Sequence, residues 1–384
     1  MTAATAEIPA TLLDATPHQP GARAALASAL AAPTHAFLFA GPPGSGKRMA
    51  ARAFAAELLA AGSSDPGDAR RRALADPSPH PDLVWLEPPG NQHLVEAVRE
   101  RVIGAAAYRP FEGERRVFVI AAADAMAEES QNALLKTLEE PAPFAHLILI
   151  SAEPEALLET VRSRCHPIRF AALSPDVTAE LLAERAPGAS FEQRRAAARL
   201  AAGDARSAAF LCSAEGVELR SAAIACARAV RSGALEERPW TALLDAAGVA
   251  GEQAFAEAKA AAEAAAAEAG ESEGPAARRR AREGDEAARR AGRRARTEAL
   301  DLGLALIAAW LRDLAAVADG AADLVLNADR PEELTADAEG VDARRARRGA
   351  ELVMDTRRRL QVNVSEELAL EALLYRLDSL LAAR

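Results

Sequence analysis

Phe37-Leu38-Phe39-Ala40-Gly41-Pro42-Pro43-Gly44-Ser45-Gly46-Lys47-Arg48 decides how the first part of the chain is read. The apolar run Phe37–Phe39 predicts a buried strand ending in a glycine-rich turn. Gly41 to Lys47 then fill the first seven positions of the phosphate-binding loop Gly-x-x-x-x-Gly-Lys-(Ser/Thr), in the strand–loop–helix setting the motif needs. Glycines let main-chain N–H groups converge on phosphate oxygens, and the helix start adds positive potential. Gly41, Gly44, Gly46 and Lys47 are therefore candidate nucleotide-binding residues, with Lys47 reaching for the terminal phosphates.

The pattern breaks where a metal would be held. The eighth position calls for a Ser or Thr hydroxyl on Mg²⁺, and Arg48 stands there; a guanidinium cannot ligate a cation and repels it. A hydrolysing loop also needs a carboxylate at the end of a nearby strand. The run Val117–Ile120 is followed by Ala121-Ala122-Ala123-Asp124, with alanines at the two expected positions. Asp124 comes later and is expected to cap the next helix. These residues predict a phosphate cradle with no metal site and no ATP hydrolysis. Whether a nucleotide lodges there without turnover stays open.

Outward from the loop, the runs Asp82–Leu86, Val117–Ile120, Leu147–Ile150 and Pro167–Phe170 alternate with helical patterns. With Phe37–Phe39 they predict a parallel five-stranded sheet covered on both faces, an α/β domain over 1–171. A helix from Glu128 to Glu140 puts Leu134, Leu135 and Leu138 on one side and stops at Pro141. Residues 172–235 read as a small helical domain punctuated by Gly203 and Gly233, and 236–384 as helical throughout. Inside the last part, 251–298 is compositionally odd. An Ala/Glu-rich helix meets the breaker Glu271-Ser272-Glu273-Gly274-Pro275, and nine arginines follow between Arg278 and Arg296. Arg278, Arg282, Arg289, Arg293 and Arg296 fall near one helical face, while Asp285–Arg289 and Glu286–Arg290 have the spacing of solvated ion pairs. Two readings stand: a solvated projection, or a contact to DNA phosphates or a partner.

The chain has 384 residues, a net charge of −10 and a pI of about 5.3. That balance speaks against an autonomous nucleic-acid binder, without excluding a local basic face. Half the residues are apolar, mostly through alanine, which with Glu and Arg favours helix. Cys165, Cys212 and Cys226 form no Cys-x-x-Cys pair or Cys/His cluster, so no metal site and no disulfide framework is expected. A reducing cytoplasm is the simple inference. Met1–Pro17 carries no basic-then-apolar leader, and no apolar run is long enough to span a membrane.

Beyond the loop, Ala123-Asp124-Ala125-Met126 and Gln131-Asn132-Ala133-Leu134-Leu135-Lys136-Thr137-Leu138-Glu139-Glu140-Pro141 closely resemble the segment after the third strand in bacterial clamp-loader subunits of the AAA+ class. Thr160-Val161-Arg162-Ser163-Arg164-Cys165 is similar to the family's Ser-Arg-Cys motif. His35 before the first strand and His80-Pro81-Asp82-Leu83 before the second also fit, the resemblance running over about 18–210. It is weaker near Trp310-Leu311-Arg312-Asp313 and the last helices. The degraded nucleotide residues beside an intact Ser163-Arg164-Cys165 resemble the delta-prime type rather than the gamma/tau motor. The cysteine-free stretch Ala61–Pro81 departs from the zinc module of many relatives, so zinc is not expected.

The resemblance implies an AAA+ phosphate-loop α/β domain, a helical lid and an all-α collar. It implies that Arg164 enters the ATP site of a neighbouring subunit as an arginine finger, framed by Ser163 and Cys165. Ser151 would sit at a sensor position or serve as a plain cap, and Arg206 resembles a nucleotide-sensing lid arginine or is a solvated helix residue. Asn132 and Lys136 would face DNA or a neighbour, or simply solvent. His35 and His80 are expected to cap or pack. The chain would need no cofactor of its own, ATP being bound by neighbours. Its implied partners are the gamma/tau motor subunits, delta, the sliding clamp and primer–template DNA, with no membrane. An active ATPase motor and a stand-alone DNA-binding protein are the rival readings.

Overall fold

Five strands form one parallel sheet in the computed structural model: β1 Ala36–Ala40, β2 Leu83–Leu86, β3 Arg116–Ile120, β4 Ala145–Ser151 and β5 His166–Arg169. Residues 9–76, 78–88, 92–268, 275–360 and 365–382 are described. Each strand begins within two residues of its sequence expectation. The order is β2-β3-β4-β1-β5, with Phe37 opposite Ile148 on one side and His166 on the other. β3 and β4 are buried along their whole length, the signature of strands covered by helices on both faces. Strand order reverses between β1 and β4, and the crevice at the carboxyl end of such a junction is where open α/β sheets hold ligands. The loop Gly41–Gly46 leaves β1 there.

Alternation along β1 feeds two apolar layers. Phe37 and Phe39 face Phe54, Leu58 and the alanines of the helix Lys47–Ala60. Phe37 meets Phe54 edge-on at 4.9 Å. Small side chains at Ala50, Ala51, Ala53 and Ala55 let this helix lie close to the sheet. Leu38, Phe118, Ile120, Leu147 and Leu149 face Leu134 and Leu138 of the helix Glu128–Glu139 on the other side.

The chain divides into two compact units, Met1–Leu173 and Ser174–Arg384. The second is all-helical. Residues on both sides of the 235/236 boundary share one apolar core there: Ala223, Cys226 and Val230 with Trp240, Leu243, Leu304, Trp310 and Leu374. Trp310 Nε1 donates to Asp337 at 3.1 Å, and Arg228 pairs with Asp337 at 2.7 Å and Glu333 at 2.8 Å. Buried Asp313 accepts from the main-chain N–H groups of Leu326 and Asn327 and from the Asn327 amide. The Trp310–Asp313 segment is thus structural. The expected break at Glu271–Gly274 lies outside the described residues; the helices flanking it are Trp240–Glu268 and Pro275–Ala318.

Candidate functional site

The phosphate loop keeps the shape of its motif. Gly44 and Gly46 have φ of +70° and +84°, the left-handed region glycine tolerates, and Gly46 caps the helix Lys47–Ala60. Gly41 is fixed by crowding: a Cβ there would stand 2.4 Å from the carbonyl oxygen of Phe170. Its N–H donates to the Ser151 carbonyl, which seats the loop on the end of β4. Gln19, a residue no motif signalled, latches the loop from behind. Its amide donates to the carbonyls of Ser45 at 3.0 Å and Ala171 at 2.7 Å and accepts from the Ala171 N–H at 3.0 Å. Lys47 is buried and donates to the Pro42 carbonyl at 2.8 Å.

The residues present do not fit a magnesium ion. Arg48 turns outward to an ion pair with Glu87, the residue after β2, with its guanidinium 5.3 Å from the Trp85 ring. Trp85 Nε1 donates to the same carboxylate at 2.8 Å. Ala121 and Ala122 offer no carboxylate, and Ala122 sits at φ +49° in a tight turn. Asp124 corrects an expectation: it caps no helix, since that position before Glu128–Glu139 belongs to Ala127. Its carboxylate accepts from the Ala152 N–H at 3.2 Å and clips the ends of β3 and β4 together. Among the described residues no group of three or more His, Cys, Asp or Glu side chains is placed to hold a metal.

His93, also unsignalled, holds the alanine turn. Its ring Nε2 lies 2.8 Å from the Ala121 carbonyl and its N–H donates to Ala125. Burial pushes His93, His80 and His146 below the ordinary histidine value. Their unfolded value is near 6.5, so stability is complete above it and drains away as pH falls from there through the lower folded values. Hydrogen exchange of the β3 and β4 amides should be faster at pH 5.5 than at 7.5 after correction for intrinsic rates. Equal protection would refute neutral burial. His80 Nδ1 accepts from the Asp82 N–H, and buried Asp82 accepts from the N–H groups of Phe111 and Glu112, so this segment is scaffold. His35 Nδ1 lies 3.2 Å from the Ala145 carbonyl.

Ser163-Arg164-Cys165 follows the short helix Glu159–Arg162 and leads into β5. Cys165 is buried and its thiol is pushed up to about 12, which makes it packing rather than a nucleophile. Arg164 is at the surface. Its guanidinium donates to the Thr160 carbonyl at 2.9 Å and pairs with Glu139 at 2.6 Å, at the end of the helix Glu128–Glu139. Glu139 falls in the family-like segment, but its partner is apparent only in three dimensions. Asn132 and Lys136 are exposed on that helix.

Ser151 ends β4, fully buried, and its hydroxyl has no partner among the described residues, nor does that of Ser45 in the loop. Arg206, in the second unit, is exposed and pairs with Glu298 at 3.3 Å. The stretch after the phosphate-loop helix is stapled by charge. Buried Glu57 takes a bidentate Arg70 at 2.7 and 2.8 Å, Arg72 pairs with Asp68 at 2.7 Å and also with Glu112, and Arg52 pairs with Asp76 at 2.9 Å. No helix among the described residues is long and apolar enough to cross a membrane.

A parallel sheet of this order with a phosphate loop after β1, followed by helices, defines an AAA+-type fold. Residues 21–174 match the family described as DNA polymerase III, delta subunit, and residues 297–379 match DNA polymerase III, delta subunit, C terminal. Over these two segments the chain is similar to DNA polymerase III delta subunits. It is 38% identical over 169 residues to DNA polymerase III subunit delta′ of Pseudomonas aeruginosa, covering 39% of this chain and 51% of that one. It is 31% identical over 157 residues to the delta′ subunit of Bacillus subtilis, covering 40% and 46%. The gamma/tau subunit of Mycobacterium tuberculosis matches at 35% over 156 residues, 39% of this chain and 26% of that one. The chain spans about half the length of the delta′ relatives it matches.

Proposed function

We propose that the chain is the delta-prime subunit of a bacterial clamp loader, a non-hydrolysing stator that helps place the sliding clamp on primed DNA. One contrast carries the reading: the phosphate loop has lost its metal-holding residues while Arg164 stays at the surface in an intact Ser163-Arg164-Cys165. Chemistry is then lent across a subunit boundary. The buried Cys165 and the start of β5 fix the backbone of the motif, and the guanidinium is tied by two surface hydrogen bonds that are cheap to exchange. In a neighbouring motor's site the same planar cation meets charge developing on a transferred phosphoryl group, a stronger partner than a solvated glutamate. ATP belongs to the gamma/tau neighbours, and delta, the clamp and primer–template DNA are the remaining partners. Ser151, buried at the end of β4, keeps a sensor position beside a loop that no longer supports turnover.

Reconstitution with motor subunits, delta, clamp and primed DNA tests this. Omitting the chain should abolish clamp loading, and Lys47→Ala should leave loading and ATPase unchanged once folding is verified. ATP turnover by the isolated chain that disappears in Lys47→Ala would establish the motor reading instead.

A further inference from the structure

The arginine-rich helix has no place in the mechanism above, and residues 251–296 lie outside both matched segments. The helices Trp240–Glu268 and Pro275–Ala318 run antiparallel: Gly248 faces Arg296, Gly251 faces Gly292, and Ala262 faces Gly284. A Cβ on Gly251 would stand 2.9 Å from the Gly292 carbonyl, and one on Gly292 equally close to that of Gly251. The two backbones therefore touch at Gly251 and Gly292, with Phe255 and Arg296 packed beside them and Ala262 against Gly284 farther along. Among the described residues of 251–298 only Ala288 is a buried apolar side chain, so the outer surface of this stretch is what it presents.

That surface is strongly one-signed on one helix. Residues 278–296 hold nine arginines and three carboxylates in a chain whose net charge is −10. Arg278, Arg282, Arg289 and Arg293 recur at intervals of four, seven and four residues, which confines them to an arc of about 60° and a straight run of roughly 22 Å. Arg289 is paired with Asp285 at 2.9 Å, and Arg279 and Arg290 with Glu283 and Glu286. Arg278, Arg282 and Arg293 are exposed with no carboxylate partner among the described residues. A helix built only for solubility would balance them.

We infer that this stripe docks the phosphate backbone of duplex DNA. All its cations are arginines, whose forked donors match phosphate oxygens in pairs. The arginine helix offers no aromatic between 278 and 296 on which unpaired bases could stack, so it fits a duplex backbone and reads no sequence. The acidic remainder of the chain repels DNA elsewhere and confines contact to the hairpin. Choosing DNA among polyanions rests on the clamp-loader reading.

The full chain is titrated with a fluorescein-labelled duplex by anisotropy across a salt series, beside R278E/R282E/R293E and R278Q/R282Q/R293Q. Wild type should bind a scrambled duplex equally well. Its slope of log affinity against log salt should be steeper than that of either variant by about 3, near 0.9 for each phosphate the variant no longer neutralises. Equal slopes would overturn the inference, as would no binding by wild type at low salt. Sedimentation is run alongside. A wild-type dimer that the variants do not form, with DNA binding unmoved, would assign the stripe to the acidic helix of a second copy and also overturn it. A reconstituted complex that loads clamps without this chain would remove the stator reading while leaving the slope result intact.

Discussion

Replacing Arg164 by alanine is expected to slow ATP hydrolysis at the adjoining motor site by about 10³-fold, the lower end of what arginine fingers supply, while the complex still assembles. The site must be isolated by silencing the phosphate loops of the other motors, because their turnover would mask the loss. Arg164 and Glu139 are both at the surface, so breaking their pair should cost the free chain less than about 1 kcal/mol. A large kinetic defect beside a small stability change is the signature of a residue that acts outside its own domain. Arg164→Lys should recover little of the rate, since a point charge on a flexible stem does not reproduce a planar fork. Glu139→Ala frees the guanidinium and should leave the rate at or above wild type. If hydrolysis at the isolated site is unchanged by Arg164→Ala, the Glu139 pair is the residue's whole purpose and the trans assignment is wrong.

How far the sequence discloses the molecule follows the range of the forces involved. The strands and the helix Glu128–Glu139 were legible because apolar runs and periodicity are local, and the loop Gly41–Lys47 because its glycines serve a local backbone shape. That Arg48, Ala121 and Ala122 carry no hydroxyl or carboxylate was legible directly from their identities. Long-range polar contacts were not. Gln19 lies 152 residues from Ala171 and His93 28 residues from Ala121, and nothing in a lone Gln or His marks a main-chain carbonyl waiting across the fold. Asp124 misleads for a related reason. An Asp ahead of a helix commonly caps it, but the distant Ala152 N–H claims the carboxylate instead. The Glu57–Arg70 staple was hidden as well, because in a chain so rich in arginine no single pairing stands out.

That staple carries the largest stability effect expected here. Arg70→Ala should lower the stability of the first unit by at most about 3 kcal/mol, because it strands a buried carboxylate, although Arg70 itself is 35% exposed. The stranded group is the Glu57 carboxylate, 7% exposed on the phosphate-loop helix, which among the described residues keeps the Thr11 hydroxyl. For a unit of 173 residues that upper bound corresponds to a fall in Tm of roughly 6–12 °C. Arg72→Ala is the control. Its partners Asp68 and Glu112 are 30% and 44% exposed and stay hydrated when it is removed, so the Tm should move far less. Glu57→Leu combined with Arg70→Ala should restore most of what Arg70→Ala removes, since an apolar side chain in that pocket carries no desolvation cost. The same pair pins Ala61–Pro81 without cysteines. A bidentate guanidinium–carboxylate contact joins the helix Pro66–Leu74 to the phosphate-loop helix. Melting should accordingly be indifferent to a strong chelator but sensitive to Arg70. A chain that melts lower with chelator and unchanged in Arg70→Ala would be held by a metal and not by the staple.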